Sequence, residues 1–487
     1  MSLAIVILAA GKGTRLKSQR PKVLHAIGGR PLLGHVIAAA AKIVRPEDIY
    51  VIVGHQAKQV EAAVAETGVR FILQQDQLGT GHAIQCAEPA IAAYTDVLVL
   101  SGDVPLIQPE TIHALHAFHA SHSAAMTILT ARPADPHGYG RILRAAAGSE
   151  TGTVQQENPA ISAKTSQESI ISPEVSAIIE QKDLAPGQQS IPEINSGIYT
   201  FRVAPLVRYL SQLSTANNQK ELYLTDMAQI LRAAGERVVG LEARDPSEIL
   251  GANTLAELVA LDSALRLRTA HALLSKGVTI FHPESSVIDS TVEVAPDTIL
   301  EPNVQLLGST RIGSGCHIRT GSVIENCTLG DTVLIRQYCV LADSTIGNDA
   351  KIGPFAHLRP GSEIGPEAHI GNFVETKKAK LGRGAKANHL TYLGDAEIGA
   401  GTNIGAGVIT CNYDGVNKHT TQIGENAFIG SDSTLVAPIA IGAGAYIGAG
   451  SCITKDVPAD ALAVGRARQV TKEGWAAAKR RRRESQC

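Results

Sequence analysis

The stretch VAPDTILEPNVQLLGSTRIGSGCHIRTGSVI, residues 294–324, carries an aliphatic residue at every sixth position. This period matches neither the two-residue alternation of an ordinary strand nor the 3.6-residue period of a helix, and it returns in residues 423–453. A six-residue period is typical of a β-solenoid, in which each short strand points one aliphatic side chain inward and Gly, Asn or Asp occupies the corners. The sequence therefore predicts a parallel β-helix of hexapeptide repeats over residues 278–465. The aliphatic positions are Val294, Leu300, Leu306, Ile312, Ile318 and Ile324, then Ile423, Ile429, Leu435, Ile441, Ile447 and Ile453.

Two polar stretches interrupt the repeat. One runs through Lys377, Lys378 and Lys380, and the other extends over residues 412–418. Insertions in repeat proteins collect on one face and carry binding residues, so we expect substrate contacts in both stretches. The alternative is that each stretch is a solvated surface loop.

Length and composition limit the class of protein. A chain of 487 residues exceeds one ordinary core and predicts at least two domains. The formal net charge of −2 gives no reason to expect a nucleic acid partner. The seven cysteines form no Cys-x-x-Cys pair, which argues against zinc and against a disulfide framework. No apolar run reaches the roughly 18 residues of a membrane span and no signal peptide precedes the first strand, so we expect a cytoplasmic protein without a membrane span.

Only the end of the chain is strongly basic. Residues 466–487 form a predicted C-terminal tail that contains Arg466, Arg468, Lys472 and the run from Lys479 to Arg483. Such a tail either meets an anion, for example a nucleotide phosphate, or is a frayed solubilising segment.

Short apolar runs alternate with helix-like stretches in the first half of the chain. This alternation predicts a Rossmann-like α/β domain over residues 1–250, with a parallel sheet covered on both faces. Ligands bind such sheets at the carboxyl ends of the strands, where this sequence places its glycine-rich and polar residues. The predicted strands are Leu3 to Leu8, Ile49 to Val53, Val69 to Leu73 and Val97 to Leu100, and the predicted helices include residues 33–44 and 56–66.

The first predicted strand runs into a glycine-rich turn, AAGKGTR, at residues 9–15. Such a turn lets backbone N–H groups approach phosphate oxygens, and Arg15 and Lys22 supply charge to neutralise a triphosphate. A dinucleotide-binding fingerprint is excluded, because Leu16 stands where its third glycine is needed and no acid follows the second strand. A Walker A loop is also excluded, because Gly-Lys-Ser or Gly-Lys-Thr does not follow four spacer residues.

Three further segments accompany this turn: Gln74, LGTGHA at residues 78–83, and SGDVP at residues 101–105. Together they resemble the signature of sugar-1-phosphate nucleotidylyltransferases. With the solenoid added, the chain from Leu8 to about Trp475 resembles the bacterial bifunctional N-acetylglucosamine-1-phosphate uridyltransferases and glucosamine-1-phosphate acetyltransferases.

The resemblance implies two reactions in series. A left-handed coil acetylates glucosamine 1-phosphate from acetyl-CoA, and the N-terminal domain then transfers uridylyl from UTP to N-acetylglucosamine 1-phosphate and releases pyrophosphate. The UDP-N-acetylglucosamine formed supplies peptidoglycan and lipopolysaccharide precursors. The resemblance further implies a homotrimer.

For the first reaction, the resemblance assigns phosphate contacts to Arg15 and Lys22, and Mg²⁺ ligands to Asp103 and Asn253. One carboxylate and one amide oxygen, together with phosphate oxygens, suit this hard cation. Alternatively, Asp103 caps the turn after its strand and Asn253 caps the helix that follows it. The resemblance also assigns uracil and ribose contacts to Gln74, Gly79 and Thr80, and contacts with the N-acetylglucosamine part to Gly140, Glu180 and Asn195. The remaining nucleotide-binding positions that it implies are Leu8, Ala9, Ala10, Gly11 and Gly13.

For the second reaction, the resemblance assigns the sugar phosphate to Arg359 and Lys377 and the role of general base to His389. A histidine that titrates near neutrality can take the proton as the amine attacks the thioester. Glu375 is a candidate to orient this base, and Cys411 is interpreted as packing because direct transfer needs no covalent intermediate. Tyr392 and Asn403 are the remaining glucosamine-1-phosphate positions, and the acetyl-CoA positions are Ala406, Asn412, Tyr413, Ser431, Ala449 and Arg466.

A linker helix is predicted within residues 251–277. Leu258, Leu261, Leu265 and Ala272 lie along one face of it, and Gly277 ends it. This helix is expected to join the two domains.

The chain departs from the family pattern between Arg144 and Ile178, where it has an extra run rich in Ser, Glu, Gln and Thr. That composition predicts a flexible loop, either a lid over the sugar pocket or a decoration of it. Two other functions stay open: the same chemistry on another sugar or nucleotide, and a non-catalytic assembly subunit. The presence of Arg15, Lys22, Asp103, Lys377 and His389 favours an active enzyme.

Overall fold

A nine-stranded sheet forms the centre of the first half of the molecule. The computed structural model describes residues 2–11, 13–144 and 174–485 and divides into two units between Leu265 and Arg266. In the first unit the strand order is β11-β7-β10-β6-β1-β4-β5, and β8 and β9 extend the sheet as a hairpin beside β10. The strands are β1 Leu3–Leu8, β2 Ala26–Ile27, β3 Arg30–Pro31, β4 Ile49–Val53, β5 Arg70–Leu73, β6 Asp96–Ser101, β7 Met126–Ala131, β8 Arg141–Arg144, β9 Val175–Ile179, β10 Ile194–Arg202 and β11 Val238–Glu242.

Helices cover this sheet, and its central strands are apolar on both faces as a parallel sheet requires. Two departures from parallel order occur: β10 runs antiparallel to both β6 and β7, and β8 runs antiparallel to both β9 and β10. The Rossmann-like fold class predicted from the sequence is confirmed. The helices are α1 Leu32–Ala40, α2 Ala57–Ala63, α3 Thr80–Ile91, α4 Pro109–Ser121, α5 Val203–Leu210 and α6 Met227–Ala233.

The predicted inserted loop is shorter than the sequence suggested. Strand β9 lies inside the run that we expected to be a loop, and it pairs with β8 over most of its length. Val175, Ala177 and Ile178 are buried, so this end of the run belongs to the core of the domain. The rest of the predicted loop, residues 145–173, lies outside the described residues.

The second unit is the predicted coil, built from three parallel sheets of very short strands. Most of these strands bury an aliphatic side chain inside the coil, so the six-residue period and the left-handed β-helix are confirmed. The first coil sheet contains Thr279–Ile280, Ile299–Leu300, His317–Ile318, Leu334–Ile335, Lys351–Ile352, His369–Asn372, Lys386–His389, Asn403–Ile404, Phe428–Ile429, Tyr446–Ile447 and Leu462–Ala463. The second contains Val287–Ile288, Gln305–Leu307, Val323–Glu325, Val340–Ala342, His357–Leu358, Glu375–Lys377, Tyr392–Gly394, Ile409–Cys411, Thr434–Val436 and Cys452–Ile453. The third contains Glu293–Val294, Arg311–Ile312, Thr328–Leu329, Thr345–Ile346, Glu363–Ile364, Lys380–Leu381, Ala396–Ile398, Thr421–Ile423 and Ile439–Ile441.

Of the two predicted interruptions, only the later one leaves the coil. Glu375–Lys377 and Lys380–Leu381 are ordinary coil strands. Thr376 in the first strand and Ala379 between the two strands are fully buried, so the prediction of a loop there is wrong. The later stretch does bulge outward, and a bridge between Tyr413 and Lys418 closes it.

Helix α7, Leu255–Leu274, crosses the division between the units. Its first half buries Leu261 and Leu265 against the first unit, and its second half buries Ala270 and Leu273 in the core of the coil. Ala272, which was expected to share one face with Leu261 and Leu265, is exposed.

The basic tail contains an exposed helix, α8 Trp475–Glu484, instead of the frayed segment that was one alternative. Across residues 2–11, 13–144 and 174–485, no helix is both long and apolar enough to cross a membrane. The six described cysteines are unpaired.

Two candidate active sites

A cavity of about 520 Å³ opens at the carboxyl edge of the central sheet. The edge is polar because β1 ends in the glycine-rich turn and the neighbouring β6 ends at Ser101, in register with Leu8. Ten predicted nucleotide residues line this cavity: Leu8, Ala9, Ala10, Gly11, Gly13, Lys22, Gln74, Gly79, Thr80 and Asp103. Gln77 and Glu221 line it as well and were not predicted from the sequence, and so does Ser101, the first residue of the SGDVP segment, which had no role assigned.

Lys22 lies between the two predicted metal ligands. Its ammonium forms an ion pair with Asp103 and donates a hydrogen bond to the side-chain oxygen of Asn253 at 3.0 Å. The two oxygens therefore converge on one cationic group, so they fit a divalent cation as well. Gly13 has a left-handed φ of +60°, and a Cβ there would lie 2.6 Å from Cβ of Lys22, so glycine is needed to seat this lysine.

The capping alternatives for both residues fail. The capping box of α7 is formed by Thr254, whose hydroxyl accepts from Glu257 N, and by Glu257, whose carboxylate accepts from the backbone N–H groups of Asn253 and Thr254. The side-chain oxygen of Asn253 consequently stays available to Lys22. The carboxylate of Asp103 is likewise directed to Lys22. Arg15, in contrast, is exposed and does not line the cavity.

A second cavity of about 220 Å³ adjoins the first and shares Leu8, Thr80 and Ser101 with it. It brings together the three residues assigned to the sugar, namely Gly140, Glu180 and Asn195. Thr225, Tyr139 and Tyr199 also line this cavity and were missed.

Two of these sugar-site side chains are held by neighbours. The Thr225 hydroxyl donates to Glu180 Oε1 at 3.2 Å, and Asn195 Nδ2 donates to the hydroxyl of Tyr199 at 2.8 Å. Burial raises the pKa of Glu180 above its ordinary value, and Asp183, Asp226 and Glu221 add to the rise because they are also acidic.

In the coil, His389 and most predicted acetyl-CoA positions lie on one corner, where each turn leaves the first coil sheet. Backbone hydrogen bonds between successive turns keep these positions in line. The carbonyl oxygen of Asn372 accepts a hydrogen bond from Leu390 N at 3.1 Å, and that of His389 accepts one from Gly407 N at 3.3 Å. Further along the coil, the carbonyl oxygens of Ala406 and Ser431 accept from Asp432 N and Gly450 N, each at 2.7 Å. The guanidinium of Arg466 donates to the carbonyl of Ala449 at 2.7 Å and extends the same row. The small side chains of Ala406, Ser431 and Ala449 leave this corner open.

The partner of His389 is Asn372. His389 Nδ1 lies 2.8 Å from Oδ1 of Asn372, which precedes it by one turn. An amide oxygen can only accept, so Nδ1 carries the proton and Nε2 is free to act as a base. Glu375, the expected partner, instead accepts a hydrogen bond from Arg359 at 2.8 Å, so that expectation is wrong.

A cluster of three cations lies beside the second coil sheet and consists of Arg359, Lys377 and Lys418. Arg359 and Lys377 occupy adjacent turns, since Arg359 N donates to the carbonyl of Thr376. The pKa of Lys377 is lowered because other positive charges lie close to it. Lys418 has the largest effect and Arg359 a smaller one. The later loop thus supplies a third cation, Lys418, to which the sequence analysis gave no specific role.

The other predicted coil residues are arranged less uniformly. Asn412 donates to the carboxylate of Asp395, and the Tyr392 hydroxyl lies over Gly394, where a Cβ would be 2.4 Å from it. Tyr413 is exposed on the later loop. Asn403 lies on the first coil sheet, whereas Lys377 and Tyr392 lie on the second, so one chain places Asn403 on a different sheet from them.

Comparison with known proteins extends these observations. Models of three families match: the MobA-like NTP transferase domain at residues 5–167, the GMPPB C-terminal domain at residues 282–362 and the bacterial transferase hexapeptide (six repeats) at residues 420–455. The bifunctional protein GlmU of Koribacter versatilis (strain Ellin345) is 57% identical over 98% of this chain and 97% of its own length. The proteins of the same name from Anaeromyxobacter sp. (strain Fw109-5) and Pelobacter propionicus (strain DSM 2379 / NBRC 103807 / OttBd1) are 49% and 44% identical, over 99% and 97% of this chain and 94% and 98% of their own lengths.

Proposed function

The chain belongs to the family of bifunctional GlmU proteins, and we propose which of its residues carry the two activities. It is a bifunctional enzyme of UDP-N-acetylglucosamine synthesis, with a nucleotidyltransferase domain and a hexapeptide acetyltransferase domain. The assignment of residues rests on one observation: the chain has two separate sites, one at the edge of the sheet and one at the corner of the coil. Each site contains the groups that its reaction needs.

In the nucleotidyltransferase domain, UTP occupies the larger cavity and the sugar occupies the adjoining one. Lys22 neutralises phosphate charge from inside the cavity, and Arg15 adds charge from its rim. The carboxylate of Glu180 accepts a hydrogen bond from the sugar, and the amide of Asn195 donates one to it. These two contacts orient the 1-phosphate of the sugar towards the α-phosphorus of UTP. The phosphate oxygen attacks that phosphorus as the bond to pyrophosphate breaks, so no covalent enzyme intermediate is needed.

Enzymes of this type use a divalent metal. We propose Mg²⁺, held by Asp103 and Asn253, whose oxygens already converge on the ammonium of Lys22. When bound, this ion neutralises charge on the phosphates.

In the coil, Arg359, Lys377 and Lys418 hold the phosphate of glucosamine 1-phosphate. Nε2 of His389 accepts a proton from the substrate amine as the nitrogen attacks the thioester carbonyl of acetyl-CoA. The new N–C bond forms, the C–S bond breaks, and CoA leaves as a thiolate that takes the proton from the His389 imidazolium. The open corner at Ala406, Ser431 and Ala449 accommodates the pantetheine arm, and Arg466 contacts a phosphate of CoA.

We propose that three copies of the chain assemble through the coil. Tyr338, Phe355 and Phe373 form an exposed stack with ring centroids 5.5 and 5.4 Å apart, and exposed Leu390 continues it next to His389. Such a continuous apolar stripe marks an interaction surface. A neighbouring copy would bring Asn403 to the cationic cluster, which explains why the single chain keeps them on different sheets. We propose that the enzyme acts in the cytoplasm, because it uses UTP and acetyl-CoA.

The test is mass spectrometry of the purified protein with glucosamine 1-phosphate, acetyl-CoA, UTP and Mg²⁺, with each substrate omitted in turn. We expect UDP-N-acetylglucosamine to form through N-acetylglucosamine 1-phosphate. His389→Ala should lower acetylation by about 10²–10⁴-fold and leave uridylylation of supplied N-acetylglucosamine 1-phosphate intact. Asp103→Ala should do the reverse, and a folded variant that loses both activities would contradict the assignment.

The trimer is tested separately by the substitution Phe355→Asp, which places a charge in the exposed stack. Analytical ultracentrifugation should then show a smaller species that has lost acetylation but keeps uridylylation. A variant that stays trimeric would argue against this stripe as the interface.

A further inference from the structure

Behind the nucleotide cavity, Gln74 is 3% exposed and its side-chain amide has two neighbours. Its nitrogen Nε2 lies 3.0 Å from the carbonyl oxygen of Gly79 and 3.2 Å from Nδ1 of His82. Both neighbours come from the start of α3, because Gly79 has a left-handed φ of +111° that turns the chain into this helix. The geometry therefore ties the amide to one helix terminus.

The carbonyl of Gly79 fixes which end of the Gln74 amide is which. A backbone carbonyl can only accept a hydrogen bond, so the amide NH₂ group must face it. One hydrogen goes to Gly79 and the second to His82, which leaves the amide oxygen at the opposite end. That oxygen accepts no hydrogen bond from any side chain or backbone group that the structure describes, and Gln74 lines the nucleotide cavity.

The same contact fixes the tautomer of His82. Since both hydrogens of the Gln74 NH₂ group are used as donors, Nδ1 of His82 must accept and cannot carry a proton. The ring proton is then on Nε2, which lies 3.8 Å from Sγ of Cys86 one turn further along α3. Gln74, His82 and Cys86 thus form a short chain of polar groups that runs away from the cavity.

We propose that His82 is a positioning residue that sets the base specificity of nucleotide transfer, an inference that rests on the proposed use of UTP. By accepting from the Gln74 amide, His82 keeps the amide oxygen directed at the base. An acceptor there suits the N3–H of uracil. Cytosine presents an unprotonated N3 at the same position, so two acceptors would face each other, and a site built to pair one polar group rejects the base that leaves it unpaired.

The kinetic test compares His82→Leu, which removes the acceptor, with His82→Asn, whose side-chain oxygen can still accept. For His82→Leu we expect KM for UTP to rise about tenfold, the loss of roughly one hydrogen bond, with a smaller change in kcat. The preference for UTP over CTP, measured as the ratio of kcat/KM values, should fall by a similar factor. His82→Asn should restore most of both quantities.

Separate outcomes distinguish this inference from the proposed function. A wild-type protein that prefers CTP overturns both. A wild-type protein that prefers UTP, with His82→Leu equal to it in KM and base preference, overturns only the role of His82. The tautomer is tested without substrate or substitution by ¹⁵N NMR of the histidine rings: an unprotonated Nδ1 on His82 supports the inference, and a protonated Nδ1 overturns it.

Discussion

Asn372 and His389 contact each other across adjacent turns of the coil, with Oδ1 of Asn372 2.8 Å from Nδ1 of His389. We expect Asn372→Ala to lower kcat of acetylation about tenfold or more, because the imidazole loses the bond that fixes its tautomer. Uridylylation by the same protein serves as the internal control. Asn372→Asp keeps an acceptor and should retain most acetylation, and full activity of Asn372→Ala would remove this residue from the mechanism.

Lys418 adds a third positive charge to Arg359 and Lys377. Lys418→Met should raise KM for glucosamine 1-phosphate about tenfold, since a charge-assisted contact to the phosphate is lost. The exposed neighbour Lys378 provides a matched control, because Lys378→Met removes an equal charge outside this cluster.

The same variant predicts a change in pH dependence. Lys418 lowers the pKa of Lys377, so in the wild type Lys377 loses its charge at a lower pH than an ordinary lysine does. As pH rises, KM for glucosamine 1-phosphate should therefore increase earlier in the wild type than in Lys418→Met. Coincident pH profiles would show that the two lysines do not interact in solution.

Glu180 predicts a pH dependence for the other site. Burial raises the pKa of its carboxyl, so the charged form appears only at a higher pH than for an exposed glutamate. As pH falls through that raised value the carboxyl gains a proton, and KM for N-acetylglucosamine 1-phosphate should rise. Glu180→Gln should have a higher KM for N-acetylglucosamine 1-phosphate at all pH values, and this KM should not change as pH falls. A wild-type KM that stays constant in acid would contradict the assignment.

Gly371 leaves no space for a side chain. A Cβ on this residue would lie 1.9 Å from the carbonyl oxygen of Asn388, next to His389 on the following turn. Gly371→Ala should cost about 1–3 kcal/mol of stability and lower acetylation, because the backbone beside the base must move. Thermal unfolding with Gly34→Ala as control checks this, since a Cβ on Gly34 meets only ordinary contacts at 3.6 Å.

Local sequence patterns predicted those features that depend on neighbours along the chain. The glycine-rich turn, Gln74 and Asp103 each begin within two residues of the end of a strand, so their place at the sheet edge could be inferred from strand order. The six-residue period predicted the coil for the same reason.

Features that depend on distant pairing could not be predicted in this way. The choice of Asn372 over Glu375 as the partner of His389 depends on which residues of successive turns are in register, and turns of slightly different length change that register. Thr225 and Glu221 reach the first site from segments far from its motifs, so no local signal points to them. On α7, Ala272 was misplaced because the helix packs on two different cores and its buried face is not a single stripe.

The coil has a consequence for how such proteins change in evolution. Each turn is bonded only to the turns before and after it, and the proposed base and most acetyl-CoA positions occupy one corner over a few consecutive turns. Whole turns upstream of Tyr338 can thus be duplicated or deleted, which lengthens or shortens the rod and preserves the chemistry at its working end. A gain or loss of part of a turn has no such freedom, because it would rotate the catalytic corner onto another face.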